Sequence, residues 1–564
     1  MANKTEEFKC TEDGVFCEGK YLCRYIEVIA FIRDIENENW KRRVLFKNTF
    51  GDFHVLDIGM EQFRNTSDLW KILGKAGFEV LDLENEKLVL KYLKSNTPKQ
   101  RITSVSKIGW ISDKQFICPS FHVIKEKTED HFSLDSKIRN VGFKIKGELK
   151  EWQDNICKYC EGNDILTLAI CAAFSGTLLR FTNQSCSVAH LVGKSSIGKT
   201  SALAVAASIW GDSRQFIMQW RVTSNAIETL AESHNECLLI LDELSQISAR
   251  DAGNMIYTLG NAKGRARLNS EAEQKEIRQW QISILSSGEI GIADKISENN
   301  EKAKAGQLVR FIDIEAEVPN GFGIYNNLHG FGDGAELSNI LKANCGKYHG
   351  IPAKIFVESL ISANNKEENN LEESIKHLYE LSQRDICQNF ELEKANGQVK
   401  RVADVFALYR LAGTLAKGFG IITFDVTKSI YNIFERWVND RGNKTLSMEE
   451  NDIVDDVQSF LMQHEARFAR ISSVEGSYVK DEKVINNCLG GVEDKDNRRI
   501  YYVIPKLFRD EICKGKRVKL YRKVLKEKGI LLTYEDGSDR RYTINGKRTK
   551  MTTLAFTEAG NPCR

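Results

Sequence analysis

The run "HLVGKSSIGKT", residues 190–200, constrains the fold of this chain more than any other stretch. An apolar segment leads into it and the helix-forming "SALAVAASIW" follows, so its glycines belong at a strand-to-helix turn. Gly193, Lys194, Ser195, Ser196, Ile197, Gly198, Lys199 and Thr200 match the pattern G-x-x-x-x-G-K-[ST]. The glycines let the backbone curl until its N–H groups face a phosphate, and the following helix turns its positive end toward the same anion. Lys199 is expected to reach the β and γ phosphates, and the Thr200 hydroxyl to bind magnesium. Chance supplies only about 0.02 such matches in a chain of this length.

The second half of such a site is a strand ending in acidic residues. "CLLILDE" supplies it about forty residues downstream. Asp242 is placed to hold magnesium through water, and Glu243 to activate an attacking water. Further on, "QISILSSGE" ends in Ser286 and Ser287, which either orient the γ phosphate or the water, or simply close a strand. These residues by themselves reach as far as a magnesium-dependent NTPase.

Strand and helix alternate around these motifs, which predicts an α/β core with a parallel sheet flanked by helices over residues 151–330. Residues 1–150 read as an α+β domain, with "TFGDFHV" as a hairpin turn. Residues 331–445 read as helical and suit a lid. Residues 446–564 end in two β runs around a polar turn, which suggests a winged helix. At 564 residues the chain exceeds one ordinary core, and 42% hydrophobic with 28% charged residues is the profile of a folded, soluble protein. The start lacks the apolar run of a secretory signal. The longest apolar stretch, Ile165 to Leu179, falls short of the roughly 20 residues that span a bilayer and reads as a buried helix. The 14 cysteines then suggest reduced thiols in a cytoplasmic protein, and Cys157 with Cys160 has no second pair to complete a structural zinc site.

The run from "HLVGKSSIGKTSALAVAASIWGD" through "LLILDELSQI", "GNAKGRARLN", "ILSSGE" and "KAKAGQLVRFIDI" resembles the mobile-element and prophage P-loop proteins called domain of unknown function 927. The resemblance takes in "TEDGVF" and "IGW" before the phosphate loop and "WVNDRGN" after it. Members resemble AAA+ helicases of the minichromosome-maintenance and superfamily 3 type. The resemblance therefore implies an AAA+ core and ATP-driven movement on DNA by a ring, usually a hexamer.

It also implies roles for particular residues. Arg310 in "LVRFIDI" matches an arginine that reaches a neighbour's γ phosphate, a role the resemblance favours over simply capping a strand. Arg401 resembles the sensor 2 arginine that starts a lid helix; an exposed helix-starting arginine is the plainer alternative. Sensor 1 departs from the pattern, with serine where many relatives carry asparagine. In the resembled ring helicases a hairpin before sensor 1 projects basic residues into the channel. Lys263, Arg265 and Arg267 stand there, alternating so that a strand would aim all three one way, unless they form a solvated turn. Residues 511–550 hold thirteen Lys or Arg against five Asp or Glu, and Arg540, Arg541, Lys547 and Arg548 flank the last hairpin turn, suited to the DNA backbone or to solvent.

The leading expectation is a ring-shaped DNA helicase or translocase with ATP and magnesium, acting in mobile-element replication, as a homo-oligomer without a membrane. The alternatives are a P-loop switch or remodelling ATPase on protein partners, and an initiator that uses ATP only to assemble on DNA.

Overall fold

Five strands, Cys186–Val192, Ile217–Gln219, Leu238–Asp242, Ile282–Gly288 and Ile312–Glu315, form one sheet in the computed structural model of the chain. The structure describes residues 7–557 except 65, 125–130, 136–139, 267–276, 320, 364–369, 443, 475–476, 480–486, 497, 515–516, 533–538 and 545–546. Edge to edge the strands run Ile217–Gln219, Leu238–Asp242, Ile282–Gly288, Cys186–Val192, Ile312–Glu315, and every pairing is parallel. Parallel neighbours need crossover connections. Helices Lys199–Trp210, Ser224–Glu232 and Ala249–Gly260 lie in those connections, as the α/β alternation of the sequence requires.

Helices cover both faces of this sheet, which is why its strands read as unbroken apolar runs rather than alternating ones. On one face Val188, Leu239, Leu241, Ile282 and Ile284 pack with Ile227, Met255, Ile256 and Leu259. Successive side chains of a strand point to opposite faces. Ala189, Leu191, Ile240 and Leu285, all buried, therefore turn to the other side, where helices Asp164–Ser175 and Lys199–Trp210 meet the sheet. Small residues let these helices come close: a Cβ on Gly176 would lie 2.1 Å from the Cys237 carbonyl oxygen. In this layer Ser175 Oγ lies 3.0 Å from Ser283 Oγ, and Trp210 Nε1 donates to the Ala173 carbonyl at 2.8 Å.

The apolar stretch forms helix Asp164–Ser175 and continues as a 3-10 turn, Gly176–Thr182. By length and composition Asp164–Thr182 could cross a bilayer, but 94% of it is buried inside the protein, so here it is core.

The N-terminal segment builds a mixed sheet in the order His131–Leu134, Gln100–Val105, Ile26–Asp34, Lys41–Lys47, Phe53–Gly59, with helices Thr66–Lys75 and Leu83–Ser95. The hairpin expected at "TFGDFHV" joins antiparallel strands Lys41–Lys47 and Phe53–Gly59. Its turn is set by Asn48, whose Oδ1 accepts from the N–H groups of Phe50 and Asp52, each at 2.9 Å. Beyond the core sheet follow helices Gly334–Cys345, Ile351–Ala363, Leu371–Asn389, Gly397–Gly418 and Thr427–Arg441.

By packing, the chain forms two compact units, residues 1–390 with 401–440 and residues 391–400 with 441–564. The second unit has its own core, in which Val457 and Leu461 of helix Met448–Gln463 and Val524 and Leu525 of helix Val518–Glu527 pack with Val503 and Leu554. The latter two come from a five-stranded sheet in the order Phe468–Arg470, Gly490–Lys495, Arg498–Val503, Lys547–Thr557, Asp539–Ile544.

Candidate functional site

Strand Cys186–Val192 ends at the phosphate-loop motif, and helix Lys199–Trp210 begins at its lysine. The loop backbone takes left-handed values at Ser196 (φ 63°) and Gly198 (φ 108°). A side chain at Gly198 would also sit 3.0–3.2 Å from atoms of Ile324 and Tyr325, so glycine is needed there for conformation and for space. Lys199 is buried and its Nζ donates to the carbonyls of Gly193 and Lys194, both at 2.6 Å. Burial pushes its ammonium below the ordinary lysine range, while the carboxylates of Glu243, Glu289, Asp242 and Glu315 pull it back up. Thr200, one residue on, is exposed.

A strap that follows the neighbouring strand Ile312–Glu315 meets the loop. The N–H of Ile324 donates to the Ile197 carbonyl at 3.0 Å, and Gly323 (φ 66°) lies so close that a Cβ would be 2.3 Å from the same oxygen. Tyr325 then places its hydroxyl 2.6 Å from Ser338 Oγ on helix Gly334–Cys345. The glycine-rich run "GFGIYNN" thus has a local job, which is to let the chain press against the phosphate loop.

Strand Leu238–Asp242 brings Asp242 to the same edge of the sheet, half-buried. Glu243 leaves the strand in the left-handed region (φ 62°), and its Oε1 accepts from Ser245 Oγ at 2.5 Å. The neighbouring strand pairs Ser286 with Leu241, which sets Ser287 beside Asp242, and Ser287 Oγ donates to Asp242 Oδ1. Ser286 points the other way, into the interior. Its Oγ accepts from Trp220 Nε1 at 2.8 Å and lies 2.9 Å from His190 Nδ1, so of the two serines only Ser287 faces the site. His190 Nε2 faces the Ile290 carbonyl at 3.1 Å. Burial pushes the imidazole down to about 4, with the Ile290 bond opposing.

A pocket of about 350 Å³ gathers Gly198, Lys199, Thr200, Asp242, Glu243 and Ser287. Five further lining residues lie outside the loop and the acidic strand end: Glu289, just beyond the second strand, and Ala335, Ser338, Asn339 and Lys342 on helix Gly334–Cys345. Ala335, Asn339 and Lys342 recur at helical spacing and so share the face turned to the pocket. The spacing is visible in the sequence, but nothing in it says which partner that face meets.

The other expected residues lie elsewhere. Arg310 is exposed, its stem over Gly260 and its Nη1 donating to the Gly306 carbonyl at 2.9 Å. Arg401 is exposed on helix Gly397–Gly418. Neither lines the pocket of its own chain. Lys263 and Arg265 are exposed where the chain enters an antiparallel ladder: Lys263 bridges Gln279, and the Gly264 N–H donates to the Arg278 carbonyl at 2.8 Å. Arg267 lies outside the described residues. In the second unit Arg540, Arg541, Lys547 and Arg548 fall on the paired strands Asp539–Ile544 and Lys547–Thr557, with Thr543 opposite Arg548. Cys157 and Cys160 are buried, and burial pushes the Cys157 thiol up to about 11.

Fold and motif together define a chain of the P-loop α/β class. Residues 4–279 match the family model described as Domain of unknown function (DUF927). A solved structure described as "SCCmec type IV Cch - active helicase" shares the fold, with a TM-score of 0.70 at 16% identity over 99% of this chain and 98% of that one. Two structures of NtrX from Brucella abortus, in complex with ATP and with ADP, align at 13% identity over 44% and 47% of this chain and 66% and 67% of theirs. Their TM-scores, 0.18 and 0.17, are too low to bear on the fold. No curated protein matches the chain.

Proposed function

We propose that this chain is an AAA+ ATPase that assembles as a ring, in the manner of a hexamer, and uses ATP to move along or unwind DNA in mobile-element replication. One observation carries the reading: Lys199 and Thr200 share a single pocket with Asp242, Glu243 and Ser287 at the carboxyl ends of parallel strands, where ligands of open α/β sheets bind. The strand order, with two later strands inserted beside the phosphate-loop strand, and the fold shared with a chain described as an active helicase support it.

In this reading the loop N–H groups and Lys199 hold the nucleotide phosphates. The pocket suits a metal–nucleotide pair, because the carboxylates of Asp242, Glu243 and Glu289 outnumber the ammonium groups of Lys199 and Lys342 and would repel a bare polyphosphate. Thr200 and Asp242 would hold magnesium, which when bound supplies positive charge against the phosphate oxygens. Ser287 orients Asp242, and Glu243 takes a proton from the attacking water. Lys342 supplies a cation from the chain's own helix, while Arg310 and Arg401 act from a neighbouring copy.

Residues 1–150, 151–330, 331–445 and 446–564 serve in this proposal as N-terminal domain, ATPase core, helical lid and winged-helix-like domain, in a cytoplasmic protein. Lys263, Arg265 and Arg267 contact DNA from the core, and Arg540, Arg541, Lys547 and Arg548 from the last domain.

The deciding experiment measures ATP hydrolysis with and without single-stranded DNA, and assembly state on the same sample. Stimulated turnover by a ring is the expected result. A DNA-indifferent monomer would remove the motor and leave a switch acting on protein partners.

A further inference from the structure

Helix Ala249–Gly260 turns Ala252, Met255, Ile256 and Leu259 into the core beside the sheet. On its outer face stands Tyr257, 53% exposed. Asn254 is exposed on the same face, and Asn261 follows at the helix end. After the left-handed turn at Ala262 (φ 57°) the chain enters the ladder with Gln279 and Arg278, which carries Lys263 and Arg265 to the rim of this surface. Asn254, Tyr257, Asn261, Lys263 and Arg265 together line a groove of about 360 Å³, and among the described residues no carboxylate lines it. The buried Glu228 lies behind it, where its Oε1 accepts from the Arg265 N–H at 3.4 Å and steadies the exit of the chain.

An aromatic face, two amides and two cations in one groove match the chemistry of an unpaired nucleotide. Stacking on the ring uses the base, the amides meet polar atoms at its edge, and the cations meet the flanking phosphates. We propose that this groove binds a single strand of DNA by stacking one of its bases on Tyr257. The inference rests on the DNA-directed reading above and adds to it a specific element: binding depends on an exposed base, not on backbone charge alone. A duplex keeps its bases stacked inside and cannot engage the ring in this way.

The test uses the full chain and a fluorescent oligothymidylate of about 20 nucleotides, longer than one such site needs. Tyr257→Ala should weaken binding about tenfold with an unchanged salt dependence, and Tyr257→Trp should restore it. An oligonucleotide of the same length with abasic sugars should bind the natural chain about as weakly as Tyr257→Ala binds the normal strand, with no further loss in the variant. Lys263→Gln with Arg265→Gln should instead flatten the slope of log affinity against log salt by about 1.4, roughly 0.7 for each phosphate contact to a single strand. The thermal midpoint of Tyr257→Ala, expected to match the natural chain, checks its fold. If the natural chain binds the strand and Tyr257→Ala binds it equally well, the groove proposal fails while the DNA reading stands. If the natural chain binds no DNA, both fail. A preference for duplex, or binding of RNA strands alone, overturns the groove as proposed.

Discussion

Ser287 reaches across from one parallel strand to hydrogen-bond Asp242 at the end of the next. The contact holds one carboxylate oxygen of a residue that lines the same pocket as Lys199 and Thr200. Hydrogen bonds to a charged group are worth about 1.5–3 kcal/mol. Ser287→Ala is therefore expected to lower ATP turnover by roughly 10- to 100-fold while nucleotide affinity changes only a few-fold. Ser287→Thr should keep most of the activity. Steady-state hydrolysis beside equilibrium nucleotide binding checks both, and an unchanged turnover would show that Asp242 needs no such support.

Glu243 carries the proposed proton transfer, from a backbone held in the left-handed region. Glu243→Gln keeps the shape and removes the base. Nucleotide binding should survive, and single-turnover hydrolysis should fall by about 10²- to 10⁴-fold.

Lys342 and Arg401 make opposite predictions. Lys342 lines the pocket of its own chain, so Lys342→Ala should weaken nucleotide binding several-fold even in dilute protein. Arg401 and Arg310 lie outside it, so Arg401→Ala and Arg310→Ala should bind nucleotide normally and lose turnover only in the assembled state. Mixing Lys199→Ala with Arg310→Ala subunits should recover some hydrolysis at the mixed interfaces. No recovery would remove Arg310 from the neighbour's site.

At Gly323 a methyl group has nowhere to go, since φ is 66° and the Ile197 carbonyl oxygen would be 2.3 Å away. Gly323→Ala should displace the strap and distort the loop, costing about 1–3 kcal/mol in stability. Nucleotide affinity should fall with it. Urea midpoints and nucleotide titration on the same preparation provide the check.

His190 gives a signed pH dependence. Its folded value, about 4, lies below the ordinary 6.5, so between those values the unfolded chain binds a proton that the folded chain does not. Its contribution is intact above pH 6.5 and is lost as pH falls through 4, amounting to about 2 kcal/mol of lost stability at pH 5. Glu236 and Asp313, both raised to about 7 by burial, run the other way: they favour the fold at low pH and lose that contribution as pH rises through 7. The difference between the natural chain and His190→Asn isolates the histidine. The gap in their denaturation midpoints should narrow on going from pH 7.5 to pH 5.

The strands of the core and the strand-to-helix turn at the loop motif were legible because their signals are local. Unbroken apolar runs such as "CLLILDE" mark strands covered on both faces, and the loop motif has fixed offsets. Choosing between Ser286 and Ser287 required the register with Leu241 and Asp242, which depends on a neighbouring strand. Lys342 and Asn339 sit on a helix that meets the loop through Tyr325 and Ser338, a contact between distant segments. The second unit illustrates the same limit: strand Lys547–Thr557 lies between Asp539–Ile544 and Arg498–Val503, and only the first of those pairings is a hairpin readable from adjacent residues.

The strap of residues 323–325 makes the phosphate loop and helix Gly334–Cys345 parts of one linkage. Ile197 cannot shift without pulling on Ile324, nor Gly198 without meeting Tyr325, and Tyr325 is pinned to Ser338 on the helix that carries Lys342. Close-packed interiors transmit small displacements rather than absorbing them. A displacement at the loop would therefore be handed to the helix, with the tyrosine as the pivot of a short mechanical transmission.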